Sequence, residues 1–139
     1  MGYYNDLHLY DPEAGSLKQT AGTADASEAN SWSQLSPSGS APSARFGHTA
    51  VESPSAGGML VFGGLDASLD ANGDQRTYLN DLHLYDPQAG SLKQTAGTAD
   101  MSEANSWSQL SPSGSAPSVR RYHTAVESPG AGGMLVFGG

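Results

Sequence analysis

Residues 3–64 recur at 78–139 with a constant offset of 75 and no gap, and 55 of the 62 aligned pairs are identical. A chain that repeats itself this closely must satisfy the same burial problem with the same supersecondary unit more than once. Repetition at a fixed period therefore constrains architecture more than any single residue does.

The composition points to strands and loops. Charged residues make up 14% of the 139 positions, against roughly 25% in an average soluble chain. Gly, Ser, Thr, Ala and Pro take their place, which implies many turns. Six basic residues face fourteen acidic ones, for a net charge of −8. Phosphate-backbone binding needs clustered Lys and Arg, and the only adjacent basic pair is Arg120-Arg121. Nucleic acid and anionic membrane surfaces are not expected partners. No apolar run approaches the eighteen or so residues of a membrane span. The opening MGYYNDLHLYD has no signal-peptide pattern, and Asp6 stands where a myristoylation signal wants Ser or Thr. There is no cysteine, which excludes disulfides, thiolate metal sites and cysteine nucleophiles. A soluble, cytoplasmic protein is the expectation.

Each unit carries four short strand patterns. HTAVE (His48 to Glu52) comes first, then MLVF (Met59 to Phe62), a continuous apolar run closed by Gly63-Gly64. A run of that kind predicts an interior strand covered on both faces. In YLNDLHLYD (Tyr78 to Asp86), Leu82 and Leu84 alternate with His83 and Tyr85, predicting a strand with two different faces. SWSQL (Ser106 to Leu110) is the most polar and precedes Pro112 and Pro117, which suits an outer edge.

Four antiparallel strands in succession, repeated, make the blade of a β-propeller. The order is an Arg-x-x-His strand, MLVFGG, NDLHLYDP and a strand with one Trp, and it resembles the kelch repeat. The marks are Gly63-Gly64, Tyr85 and Trp107, with Tyr10, Trp32 and Gly138-Gly139 as their equivalents. A kelch unit runs to about 50 residues, and the longer period here places insertions at Leu65 to Thr77 and at Gln88 to Asn105. The glycine pair reads independently as backbone needing positive φ or close approach. The Tyr and Trp read as large apolar area for packing between blades.

The expected fold is thus all-β, a kelch-like propeller segment over 1–139. It divides into a half blade at 3–36 (strands three and four), a full blade at 45–110 and a half blade at 119–139 (strands one and two). Propellers close with about four to eight blades. A fragment of a longer propeller is one expectation. Head-to-tail assembly of half blades, preferably as a trimer of six blades, is another. An incompletely folded chain is a third.

Candidate sites are sparse. Asp70, Asn72 and Asp74 alternate as calcium ligands do, with Asp81 at position twelve. Gln75 replaces the turn glycine and the last ligand is Asp rather than Glu, so a polar turn is the simpler reading. His8, His48, His83 and His123 form two repeat-related pairs with no zinc-motif spacing. Asp25 with Glu28, and Asp100 with Glu103, match helix-capping spacing. No G-x-S-x-G elbow is present. Some kelch-type propellers are copper oxidases with a Cys–Tyr cofactor, and a chain without cysteine lacks that chemistry.

Differences between the copies give the one pointer to a binding surface. Three of the seven cluster: Ala44/Val119, Phe46/Arg121 and Gly47/Tyr122. Loops on a rigid scaffold carry recognition, and Arg and Tyr are enriched in hot spots. Arg45, Phe46, Arg120, Arg121 and Tyr122 are the expected contacts for a protein partner. The functional expectation is a non-catalytic protein–protein interaction scaffold without cofactor. The alternatives are a small-ligand or enzymatic site at the axis of a completed ring, and a structural repeat that self-associates through open edges.

Overall fold

The computed structural model describes residues 3–11, 31–53, 58–66, 76–87, 105–128 and 133–139. Every regular element among them is a β-strand. They form two compact units, one of Asp6–Ser36 and one of the remaining chain.

The smaller unit is an antiparallel hairpin of β1 (Leu7–Asp11) and β2 (Ser31–Leu35). Tyr10 stands opposite Trp32, with ring centroids 5.2 Å apart and planes tilted by 44°. Such cross-strand aromatic pairs stabilise two-stranded sheets. Within this unit Trp32 stays 70% exposed.

The larger unit begins with the short strands β3 (Ser38–Gly39) and β4 (Arg45–Phe46). Four longer strands follow: β5 (Thr49–Ser53), β6 (Gly58–Asp66), β7 (Tyr78–Asp86) and β8 (Ser106–Leu110). They pair antiparallel in chain order as a meander, the form of a propeller blade. The apolar run of β6 occupies the interior, as its composition implies. Leu60, Val61, Phe62 and Leu65 are buried there, with Leu84 of β7 and Trp107 of β8.

Beyond its apolar run β6 continues, although the double glycine reads as its end. The pairing register slips between Phe62 and Gly64, where Gly63 and Gly64 take φ of 63° and 100°. Glycine adopts such angles without steric cost, so the strand bends at a bulge and runs on. A Cβ on Gly64 would lie 2.9 Å from the Phe46 carbonyl oxygen. Past the bend, Leu65 pairs with both Phe46 and Tyr78.

On β7, His83 and Leu84 point to opposite faces and both are buried. One other element differs from the sequence expectation, which put SWSQL at an outer edge: strand β8 is flanked on its far side by β3, which runs parallel to it. Ser38 N–H donates to Asn105 O and Ser40 N–H to Trp107 O, each at 3.0 Å. Pro112 and Pro117 lie beyond β8, so its ladder groups stay free to accept this cover.

A second hairpin, β9 (Thr124–Ser128) with β10 (Gly133–Phe137), pairs antiparallel and packs against β5. Gly64 N–H donates to Arg120 O at 2.8 Å, and Arg120 N–H to Leu79 O at 3.0 Å. His123 Nε2 meets Thr49 Oγ1 at 2.7 Å, and its ring stands edge-on to Phe62. Among the described residues β10 pairs with β9 alone. The segments with Asp25 and Glu28, and with Asp100 and Glu103, lie outside the described residues. No helix among the described residues is long and apolar enough to cross a membrane.

Candidate interaction surface

An ion-pair network holds the base of this surface. Arg45 sits at the entrance to the blade, 7% exposed. Its Nη1 donates to Asp81 Oδ1 at 2.7 Å and its Nη2 to Asp81 Oδ2 at 2.9 Å. Nη1 also reaches Gly63 O at 3.0 Å, while Nε donates to Ser43 O at 3.2 Å. His83 Nε2 meets Asp81 Oδ2 at 2.8 Å, and its Nδ1 faces Ser40 O at 3.3 Å. Burial alone would raise the Asp81 carboxyl pKa. The hydrogen bonds from Arg45 and His83 outweigh it and hold the group below its ordinary value. A bidentate Arg–carboxylate pair is the strongest geometry such a pair adopts, and this one ties β4, β6 and β7 together.

Arg45 is thus turned inward, and the expectation that it contacts a partner is corrected. Its donors are consumed by Asp81, Gly63 and Ser43. Asp81, weighed as a calcium ligand, spends both oxygens on Arg45. Asp70, Asn72 and Asp74 lie outside the described residues.

Above the network the remaining expected contacts come together. Phe46 stacks on Tyr3, centroids 5.2 Å apart and planes within 18°, and Tyr122 lies 6.3 Å from the same ring. Arg121 sets its guanidinium 5.3 Å from the Tyr78 ring centre and 5.0 Å from that of Tyr122. Arg76 lies 5.2 Å over Tyr3 and 5.3 Å over Phe46. Cations over aromatic faces at these distances are attracted by the ring quadrupole. Beside the cluster, Tyr78, Val119, Arg120, Arg121, Tyr122 and Gly139 line a wide, shallow pocket of about 580 Å³.

Tyr122 is held in an unusual conformation. Its φ is 57°, in the left-handed region, and its side chain is 67% exposed. The backbone is pinned by a bond from Tyr122 N–H to Gly47 O at 2.8 Å. Non-glycine residues in this region cost on the order of 1–3 kcal/mol and concentrate at functional sites.

Tyr3, Arg76 and Tyr78 were not singled out by the sequence. Arg76 follows the Asp70 loop and Tyr78 opens β7, so nothing local marks them as neighbours of Phe46. The Asp81–His83 pair had a readable signal, the repeated Asn-Asp-Leu-His, but its partner Arg45 is 36 positions away. Tyr85 and Trp107 face each other across β7 and β8 with rings 5.3 Å apart. Their equivalents Tyr10 and Trp32 keep that pairing.

The blade meander, the bent double glycine and the paired Tyr and Trp all agree with the kelch pattern. A family model, the KLHDC2/KLHL20/DRC7 Kelch-repeats domain, matches residues 24–139. No solved structure matches the chain significantly. The family match spans most of the sequence and the strand order agrees with it, so this chain belongs to the kelch-repeat family.

Proposed function

We propose that the chain is a non-catalytic protein-interaction module that binds through the arginine–aromatic cluster of Phe46, Arg76, Arg121 and Tyr122. The reading rests chiefly on Tyr122, an exposed tyrosine in a left-handed backbone position where the other copy has Gly47. A fold under selection for stability alone would favour glycine there. A binding face tolerates the strain, and exposed Tyr and Arg supply contact energy on binding.

Charge indicates the kind of segment that fits. The protein is acidic overall, yet Arg76 and Arg121 gather over the rings of Tyr3, Phe46, Tyr78 and Tyr122. A partner segment that presents carboxylates to these guanidinium groups and an apolar side chain to the rings matches this surface. Selection from a displayed random peptide library should enrich acidic sequences containing an apolar residue. Replacing Arg121→Phe with Tyr122→Gly restores the residues of the first copy and so preserves the fold. The double variant should bind the selected peptides at least about tenfold more weakly, a loss of about 1.4 kcal/mol. Equal binding by both proteins would remove this face from consideration.

A further inference from the structure

Arg120 reproduces the setting of Arg45 with one member missing. Its Nε donates to Ser118 O at 3.1 Å, its Nη1 to Gly138 O at 2.8 Å and its Nη2 to Ser118 Oγ at 3.3 Å. Arg45 makes the same three bonds, to Ser43 O, Gly63 O and Ser43 Oγ, at 3.2, 3.0 and 3.4 Å. The difference is the carboxylate. Arg45 has Asp81, and Arg120 has no acidic partner among the described residues.

The hairpin of β1 and β2 carries the converse half. His8 Nε2 meets Asp6 Oδ2 at 2.8 Å, as His83 meets Asp81 at 2.8 Å. Among the described residues no arginine bonds Asp6. Among the described residues, Arg120 is thus an oriented guanidinium without its carboxylate, and Asp6 with His8 is a carboxylate–imidazole pair without its guanidinium.

The exposed edges match in the same way. Phe137 and Leu135 on β10 are 82% and 58% exposed, where Phe62 and Leu60 on β6 are 5% and 7%. What flanks β6, and among the described residues has no counterpart beside β10, is the β7–β8 hairpin. The β1–β2 hairpin repeats its strand sequence residue for residue, LHLYD and SWSQL.

We propose that the open edge of β10 binds the β1–β2 hairpin of a second copy of this chain, with Arg120 paired to Asp6 across the joint. The internal blade sets the register. Leu60 opposite Leu84 and Phe62 opposite Leu82 place Leu135 opposite Leu9 and Phe137 opposite Leu7 of the other copy. Added strands supply main-chain hydrogen bonds, and the alternate side chains supply specificity. The contact is head-to-tail, so each copy keeps a second joint open until a ring closes. Three copies would contribute about six blades, within the range at which propellers close. The joint is separate from the arginine–aromatic cluster, and either proposal stands without the other.

The absence of cysteine makes the joint directly trappable. Paired residues on neighbouring antiparallel strands have Cα separations of about 4.5–5.5 Å, which a disulfide spans. The full chain carrying Leu9→Cys and Leu135→Cys should, on mild oxidation, form covalent multimers on a non-reducing gel. A disulfide closed within one chain, leaving the single-chain mass, overturns the proposal. Light scattering on the unmodified chain should show mass rising with concentration toward three copies. Asp6→Arg or Arg120→Asp alone should weaken association about a hundredfold, with an unchanged circular dichroism spectrum. Combining the two substitutions reverses the pair and should restore association. A single-chain mass at every concentration, or association indifferent to both charge reversals, also overturns it.

Discussion

Gly47 and Tyr122 occupy the same position of the two repeats and share one backbone conformation, with φ of 67° and 57°. The backbone geometry was kept when the side chain changed. At Gly47 a side chain would be crowded as well as strained, because an added Cβ would lie 3.1 Å from both Arg121 Cβ and Tyr122 Cδ1.

Opposite effects are therefore expected at the two sites. Tyr122→Gly relieves the left-handed strain, worth roughly 1–2 kcal/mol, while losing the ring contacts to Phe46 and Arg121. It should raise the melting temperature by a few degrees while weakening peptide binding. Gly47→Ala should lower it by a comparable amount. Thermal melts of both variants check the pair, and a stabilising Gly47→Ala would contradict the strain argument.

Asp81→Asn removes the carboxylate that neutralises a buried arginine. Breaking one partner of such a pair costs about 3–5 kcal/mol, enough to unfold a marginal domain. Asp6→Asn alters the repeat-equivalent residue, which is exposed and, among the described residues, pairs with His8. In dilute solution it should leave the melting temperature unchanged. Denaturant titrations of the two variants measure the contrast.

Acidification should destabilise the fold before the carboxylates titrate. Burial, reinforced by Arg120, lowers the pKa of His123 below 6.5. Burial, with Arg45 and His123 nearby, does the same for His48. The folded protein therefore takes up these protons at lower pH than the unfolded chain, in which both histidines titrate near about 6.5. The unfolded state then binds more protons, so stability declines in that direction. The melting temperature should be lower at pH 5.5 than at pH 7.5. His123→Gln should flatten the slope. A melt independent of pH across that window would count against a lowered His123 pKa in the fold.

The two tryptophans report on the two units. Trp107 is 6% exposed and Trp32 is 70% exposed. In dilute solution, Trp32→Phe should leave blue-shifted emission that acrylamide quenches weakly. Trp107→Phe should leave red-shifted, readily quenched emission. Similar quenching of both variants would contradict this difference in burial.

Much of the fold was legible because it depends on short-range pattern. The apolar Met59–Phe62 run, the alternation of β7 and the Gly63-Gly64 pair each carry local chemistry that allows few conformations. The continuation of β6 to Asp66 and the cover of β8 by β3 were not legible. Both depend on backbone groups finding partners from distant segments, and hydrogen-bonding capacity is common to nearly all residues. At the proposed interaction surface, the cluster of differences between copies led to Phe46, Arg121 and Tyr122. Tyr3, Arg76 and Tyr78 join them only through folding.

By itself the sequence determined the repeat, the all-β class, the strand order and the kelch pattern. Tertiary structure alone decided what each copy of a residue does. Arg45 and Arg120 lie in the same Ser-x-Arg setting, yet one is bound to Asp81 and the other lacks a carboxylate partner among the described residues. Trp32 and Trp107 lie in identical SWSQL strands, yet one is exposed and the other buried. Burial and ion pairing belong to the strands packed around a residue, and identical local sequences with different neighbours acquire different energies.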